Sequence, residues 1–212
     1  MELVLHGYHF SVYVRIVRMV MMEKGLSWTH VEVDPFGPLP AAYLEMNPFG
    51  RVPTLTHGGF VVYETTAITR YLGEAFDGPS LQSQDARCRA RMTQLIAVAD
   101  SYAYWPLVRQ VYAQRVFRPA EGLKSDEAEI AKGLVASQKV LAALENLAGN
   151  VWLCADEPSL ADFHLGAMIG CFTAAPEGTQ LLSRYPKLQA WWGRLRERQS
   201  YIATDPGLPK LK

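Results

Sequence analysis

The chain has few of the features that commit a sequence to a specialised environment. Cysteine is scarce: Cys88, Cys154 and Cys171 are odd in number, widely spaced and outside any C-x-x-C pair. That speaks against a disulfide scaffold, a zinc site or an internal redox couple, and fits a reducing cytoplasm. An excess of charge is lacking too, since 21 Lys and Arg balance 21 Asp and Glu. No net field draws the protein to phosphate backbones or acidic membranes, so neither nucleic acid nor a membrane is an expected partner. No run approaches the roughly 18 apolar residues of a spanning helix, and Met1-Glu2-Leu3-Val4-Leu5-His6 has no basic stretch ahead of an apolar one. The protein is expected to stay where it is made. The five histidines form no i, i+4 pair, so no metal site is expected. What remains is 212 residues, 49% hydrophobic and 20% charged, enough for one sizeable core or two small ones.

Strand signals are confined to the first third: Glu2 to His6, Ser27 to Val33, Thr54 to Thr56 and Phe60 to Tyr63 are short, β-branched or aromatic and bounded by Gly, Pro or His. Between the first two, Ser11 to Lys24 carries Val12, Ile16, Met19, Val20 and Glu23 on one helical face and is ended by Gly25. That makes a βαβ unit with parallel strands. Thr54 to Tyr63 reads as a hairpin turning at His57-Gly58-Gly59, and Glu64 to Ala75 as a helix with Ala67, Ile68, Tyr71 and Leu72 inward. Residues 1–76 therefore form a small α/β domain. The breaker cluster Asp77-Gly78-Pro79-Ser80 opens a linker over 77–85, and beyond it, over 86–212, the period is helical throughout. A long helix from Ala86 to Phe117 should bend at Pro106. A second follows with Ile130, Leu134, Leu141, Leu144 and Leu147 in one stripe. Ser159 and Asp162 have capping-box spacing, and Pro186 to Arg198 forms a last amphipathic helix with Leu188, Trp191, Trp192 and Leu195.

A βαβ-ββα unit followed by an all-helical domain resembles the cytosolic glutathione S-transferases, and four stretches carry the likeness in the family's order. Ser11-Val12-Tyr13-Val14-Arg15 with Glu23-Lys24-Gly25-Leu26 resembles the family's first helix. Asn47-Pro48-Phe49-Gly50-Arg51-Val52-Pro53 resembles the motif before its third strand, Tyr63-Glu64-Thr65-Thr66-Ala67-Ile68 its glutathione-binding turn, and Pro158-Ser159-Leu160-Ala161-Asp162 its capped helix. The nearest match is to serine-type members of the phi and theta kind, in a bacterial form. The resemblance implies a thioredoxin-like N-terminal domain and an all-α C-terminal domain. It also implies a cytoplasmic homodimer, in the service of detoxification, that joins glutathione to a small, apolar or aromatic electrophile.

A free thiol with pKa about 8.5 is mostly protonated at neutral pH, so such an enzyme must first favour thiolate. By resemblance Ser11 does this, donating a hydrogen bond to sulfur at a helix N-terminus whose dipole adds positive potential. Tyr8 and His9 also carry donors, and Ser11 could instead simply cap its helix. The resemblance further implies a cis bond at Val52-Pro53, presenting the Val52 N–H and C=O to glutathione as an added strand. Thr65, where a strand runs into a helix, would hold the γ-glutamyl carboxylate, while Glu64 offsets the ammonium. Basic residues usual in the family ahead of Asn47 are missing from Pro38-Leu39-Pro40-Ala41-Ala42-Tyr43, and Arg51, His9 or Arg15 would have to replace them. The electrophile's pocket is expected between the domains, lined by Tyr8, His9 and Phe10 and by Tyr104, Trp105 and Val108. A module that keeps the fold without activating a thiol is the alternative. Thiol-disulfide exchange is disfavoured, because the first cysteine, Cys88, stands in the other domain. Asp162, His164, Trp191 and Trp192 read as structural.

Overall fold

The computed structural model describes residues 2–209. It divides into two units, one holding residues 2–80 together with Ala203–Pro206, the other holding Leu81–Ile202 and residues 207–209. The division falls inside the 77–85 stretch. The return of Ala203–Pro206 to the first unit leaves no signal in the pattern of apolar residues.

The first unit is a four-stranded sheet in the order β2-β1-β3-β4, with β1 at Leu3–Gly7, β2 at Thr29–Glu32, β3 at Thr54–His57 and β4 at Phe60–Tyr63. β1 runs parallel to β2 and antiparallel to β3, and β3 and β4 form the hairpin. The first helix, α1 at Val12–Glu23, buries Val14, Arg15, Val17 and Met21 as well as the expected Val12, Ile16, Met19 and Val20. It is covered on most sides rather than along one stripe, as an apolar helix under a sheet must be. α1 packs on α3 at Thr65–Ala75. There the inward set is Thr65, Ile68, Thr69 and Leu72, while Ala67 is exposed and Tyr71 half-buried. The i, i+3, i+4, i+7 set thus displaces the expected one. A short helix with no sequence forecast, α2 at Ala41–Met46, follows the Pro38-Leu39-Pro40 run and buries one side chain, Tyr43.

Among the described residues, every regular element of the second unit is a helix. Asp85 caps α4 at Ala86–Val98 by accepting from the Cys88 N–H at 2.9 Å. The helix then continues through Pro106 with π-helical bonding over Ala99–Phe117, the Arg118 N–H reaching the Ala113 carbonyl, and closes in α5 at Arg118–Ala120. The expected Pro106 site thus lies within a widened register. A proline clashes with the carbonyl four residues back in an α-helix, and a wider turn moves that carbonyl away. The remaining helices are α6 at Glu127–Leu147, α7 at Leu160–Ala174, α8 at Pro176–Leu182, α9 at Pro186–Leu195 and α10 at Gln199–Ala203. α7 buries Leu160 through Ile169 without interruption and is the axis of this core. No helix among the described residues is long and apolar enough to cross a membrane.

Candidate active site

Register alone brings the three chemically loaded stretches to one end of the sheet. His6 pairs with Thr54, Thr54 with Tyr63, and Gly7 with Glu32. The end of β1, the start of β3 and the end of β4 therefore lie side by side, at the roughly 4.8 Å spacing of adjacent strands. Ser11 follows β1, Val52-Pro53 precedes β3, and Glu64-Thr65 follows β4. Gly7 lets α1 close on the sheet at this end, since a Cβ there would strike the Val14 side chain.

Ser11 is the N-cap of α1, in extended conformation, and its Oγ accepts from the Val14 N–H at a long 3.4 Å. Its backbone N–H is held by the Tyr8 carbonyl at 2.9 Å. Accepting a cap bond occupies a lone pair and leaves the hydroxyl proton to be donated elsewhere, so the cap and the thiolate donor are compatible roles. No acidic side chain stands in the first turn of α1, and one turn further on Arg15 is buried at 5% exposure. Burial, and then the charge of Arg15, lower the pKa of Arg18. At the helix start itself, the dipole of α1 supplies the positive end. Before it, Tyr8 meets Phe10 and Phe36 edge-on at 5.6 and 5.7 Å, and His9, exposed, donates its backbone N–H to Glu32 Oε1 at 2.9 Å.

The Val52-Pro53 bond is cis. Its flanks are clamped by two buried residues: the Tyr43 hydroxyl donates to the Arg51 carbonyl at 2.6 Å and lies 3.0 Å from Thr54 Oγ1. Asn47 Nδ2 donates to the same two oxygens at 2.9 and 3.2 Å, while its Oδ1 accepts from the Phe49 N–H. Asn47 and Tyr43 are 2% and 3% exposed, so these bonds are formed away from competing water and fix the segment that carries Val52. The Arg51 side chain itself is exposed.

Glu64 adopts φ 71°, the only positive φ outside glycine among the described residues. A non-glycine residue held there is strained, and the strain turns the chain from β4 straight into α3, whose first residue, Thr65, is buried at 6% exposure. The first N–H groups of this 11-residue helix thus open onto the sheet end that holds Ser11 and Val52.

Residues 5–80 match the glutathione S-transferase N-terminal domain, and residues 91–199 match the glutathione S-transferase C-terminal domain. The chain belongs to the glutathione S-transferase family. Glutathione S-transferase 3 of Zea mays is 29% identical over 208 residues, which cover 97% of this chain and 94% of that protein. The structure of glutathione S-transferase III in apo form superposes with a TM-score of 0.85 at 28% identity, over 100% of both chains. The theta class glutathione S-transferase of the citrus canker pathogen Xanthomonas axonopodis pv. citri, solved with glutathione bound, does so at 0.80 with 30% identity, over 95% and 96% of the two chains. As a glutathione S-transferase the protein joins the glutathione thiolate to an electrophile.

Within this transferase Ser11, Arg51, Val52, Pro53, Glu64 and Thr65 share one sheet end with Tyr8, His9 and Phe10. Tyr104, Trp105 and Val108 lie in the second unit, where Tyr104 is half-buried, Trp105 is 60% exposed and Val108 is buried. Asp162 is structural: its carboxylate accepts from Leu153 N, Ser159 N, Ser159 Oγ and Trp191 Nε1 at 2.7 to 3.0 Å. Burial pushes its pKa up and those donors pull it down. His164 is also in the core, its Nδ1 3.0 Å from the Leu160 carbonyl. Burial pushes the Cys154 thiol up to about 11, which keeps it protonated and unreactive. Sequence reasoning missed Tyr43. The Asn-Pro motif pointed to its neighbourhood, but a phenol in a six-residue helix gives no periodic signal of its own.

Proposed function

We propose that glutathione lies across the sheet end with its sulfur against Ser11, as in serine-type transferases of the phi and theta kind. The observation that carries this is the register, which sets Ser11, Val52 and Thr65 on neighbouring strand ends within the span of one tripeptide. Ser11 donates its hydroxyl proton to the thiolate, and the α1 terminus stabilises the charge. Lowering the thiol pKa by about two units requires about 2.7 kcal/mol, within reach of a charge-assisted hydrogen bond plus a helix-end potential. The Val52 backbone pairs with the cysteinyl unit, Pro53 fixes its direction, and Arg51 supplies the carbonyl that Tyr43 and Asn47 hold. The Thr65 N–H and hydroxyl take the γ-glutamyl carboxylate, and Glu64 faces the ammonium.

The electrophile is small and apolar or aromatic. Tyr8, His9 and Phe10 are its contacts in the first unit, with Phe36 edge-on to Tyr8. No metal takes part in this scheme. The protein acts as a cytoplasmic homodimer in detoxification. The relatives named above, all transferases, weigh against a non-catalytic module. Titration calorimetry tests the scheme: Thr65→Ala should weaken glutathione binding by at least about tenfold, as loss of a charge-assisted bond requires. Unchanged affinity would remove Thr65 from the site.

A further inference from the structure

The glycyl end of the co-substrate meets an unusual stretch of this chain. The γ-glutamyl group belongs at the start of α3, beside the Thr54–Tyr63 end of the hairpin. A tripeptide anchored there and paired with Val52 must run antiparallel to residues 51–54, because only that direction puts its N-terminal residue over Thr54 and Tyr63. Its C-terminal residue then faces Arg51, Gly50 and the segment leading through α2. From Asp34 to Gly50 that segment carries two acidic side chains, Asp34 and Glu45, and no Lys, Arg or His.

Among the described residues of the first unit the nearby cations do not make up the deficit, and Arg15 lies buried within α1. His6 is 6.4 Å from the Tyr43 ring, and burial, followed by repulsion from His30, lowers its pKa. His9 donates its backbone N–H to the Glu32 carboxylate, and its ring lies edge-on against Phe10 at 5.1 Å. Lys24 is buried with its ammonium on the Gly73 and Pro79 carbonyls. Arg51 is exposed, while its backbone, not its side chain, is fixed by Tyr43 and Asn47. An ion pair to an exposed arginine is worth about fivefold in affinity or less, whereas a buried charge-assisted contact is worth about ten- to a hundredfold.

We propose that this transferase reads the γ-glutamylcysteinyl part of its co-substrate and is nearly indifferent to the charge at the glycyl end, so that thiol peptides with a blocked C-terminal carboxyl serve it almost as well as glutathione. The inference rests on the placement of glutathione given under Proposed function. It predicts that the specificity for the co-substrate is polarised, with recognition concentrated at the α3 terminus and along Val52.

The test compares glutathione with its glycyl monoethyl ester, which keeps the thiol and the γ-glutamyl group and removes only the terminal charge. With the intact protein, kcat/KM toward a chloronitrobenzene and Kd by calorimetry should agree for the two thiols within about fivefold. A loss of tenfold or more with the ester overturns the inference and leaves the glutathione site standing. If glutathione itself neither binds nor reacts, the placement of the tripeptide fails, and the tolerance falls with it.

Discussion

A hydroxyl can serve a thiolate only if its proton is not already committed. Ser11 meets that condition because the helix asks it for a lone pair, through the Val14 N–H at 3.4 Å, and not for a proton. Ser11→Ala should therefore slow conjugation by at least about tenfold, equivalent to roughly 1.4 kcal/mol, while the thermal midpoint moves little because the cap bond is long. Steady-state rates with a chloronitrobenzene, alongside a melting curve, check both halves; an unchanged rate would transfer the role to Tyr8 or His9. Asn47 carries a different load. Asn47→Ala leaves the buried Thr54 hydroxyl and Arg51 carbonyl each short of a donor. It should cost about 2 to 3 kcal/mol in urea unfolding and weaken glutathione binding together. At this scale the sequence was readable for local geometry, as with the N-cap at Ser11 and the cis bond at Val52-Pro53. It was unreadable for Tyr43, because an aromatic residue near prolines is usually ordinary packing and its hydroxyl acquires a partner only when α2 lays it over the start of β3.

Elements were legible in proportion to their length and periodicity. The strands fell within a residue or two of their expected limits, and the αβ order of the first unit followed from the change of period at Gly25 and Gly58-Gly59. Three short helices, α2, α8 and α10, escaped because five to seven residues hold less than two full turns of pattern. The π-helical stretch escaped for another reason: proline announces trouble for an α-helix but does not say whether the chain bends or changes register. That stretch is also where α6 comes closest, for a Cβ on Gly133 would lie 2.7 Å from Gln110 Cβ and 3.1 Å from the Pro106 carbonyl oxygen. Gly133→Val should accordingly destabilise by about 1 to 3 kcal/mol through overpacking. A thermal midpoint equal to that of the unsubstituted protein would show that the two helices can separate without cost.

For the whole molecule, the response to acid is set in the second core. His164 is fully buried, its Nδ1–H directed to the Leu160 carbonyl, and burial lowers its pKa to about 4. The opposite nitrogen, Nε2, has no hydrogen-bond partner, so a second proton would be buried without compensation. The unfolded chain takes that proton near pH 6.5 and the native state only near pH 4. The stabilisation is therefore complete above about pH 6.5 and is lost as pH falls toward 4, on the order of 3 kcal/mol in all. Urea midpoints measured across that window should decline, and His164→Asn, which can still donate to Leu160, should flatten the decline. An undiminished slope in the variant would assign acid sensitivity to the carboxylates instead. The Asp162 cluster, which ties the Leu153 loop and Trp191 to the start of α7, explains why one capping motif was visible from spacing while its wider reach was not.

The sheet also has an opposite pole. There the hairpin turns at Gly58 and Gly59, both exposed, with open space where a side chain on Gly59 would project. Leu3 pairs with His57 beside it, four residues of strand away from the candidate site. A fluorophore, an affinity tag or a short guest loop attached at that tip would be insulated from the thiol chemistry, and this transferase could be immobilised or labelled there while still turning over.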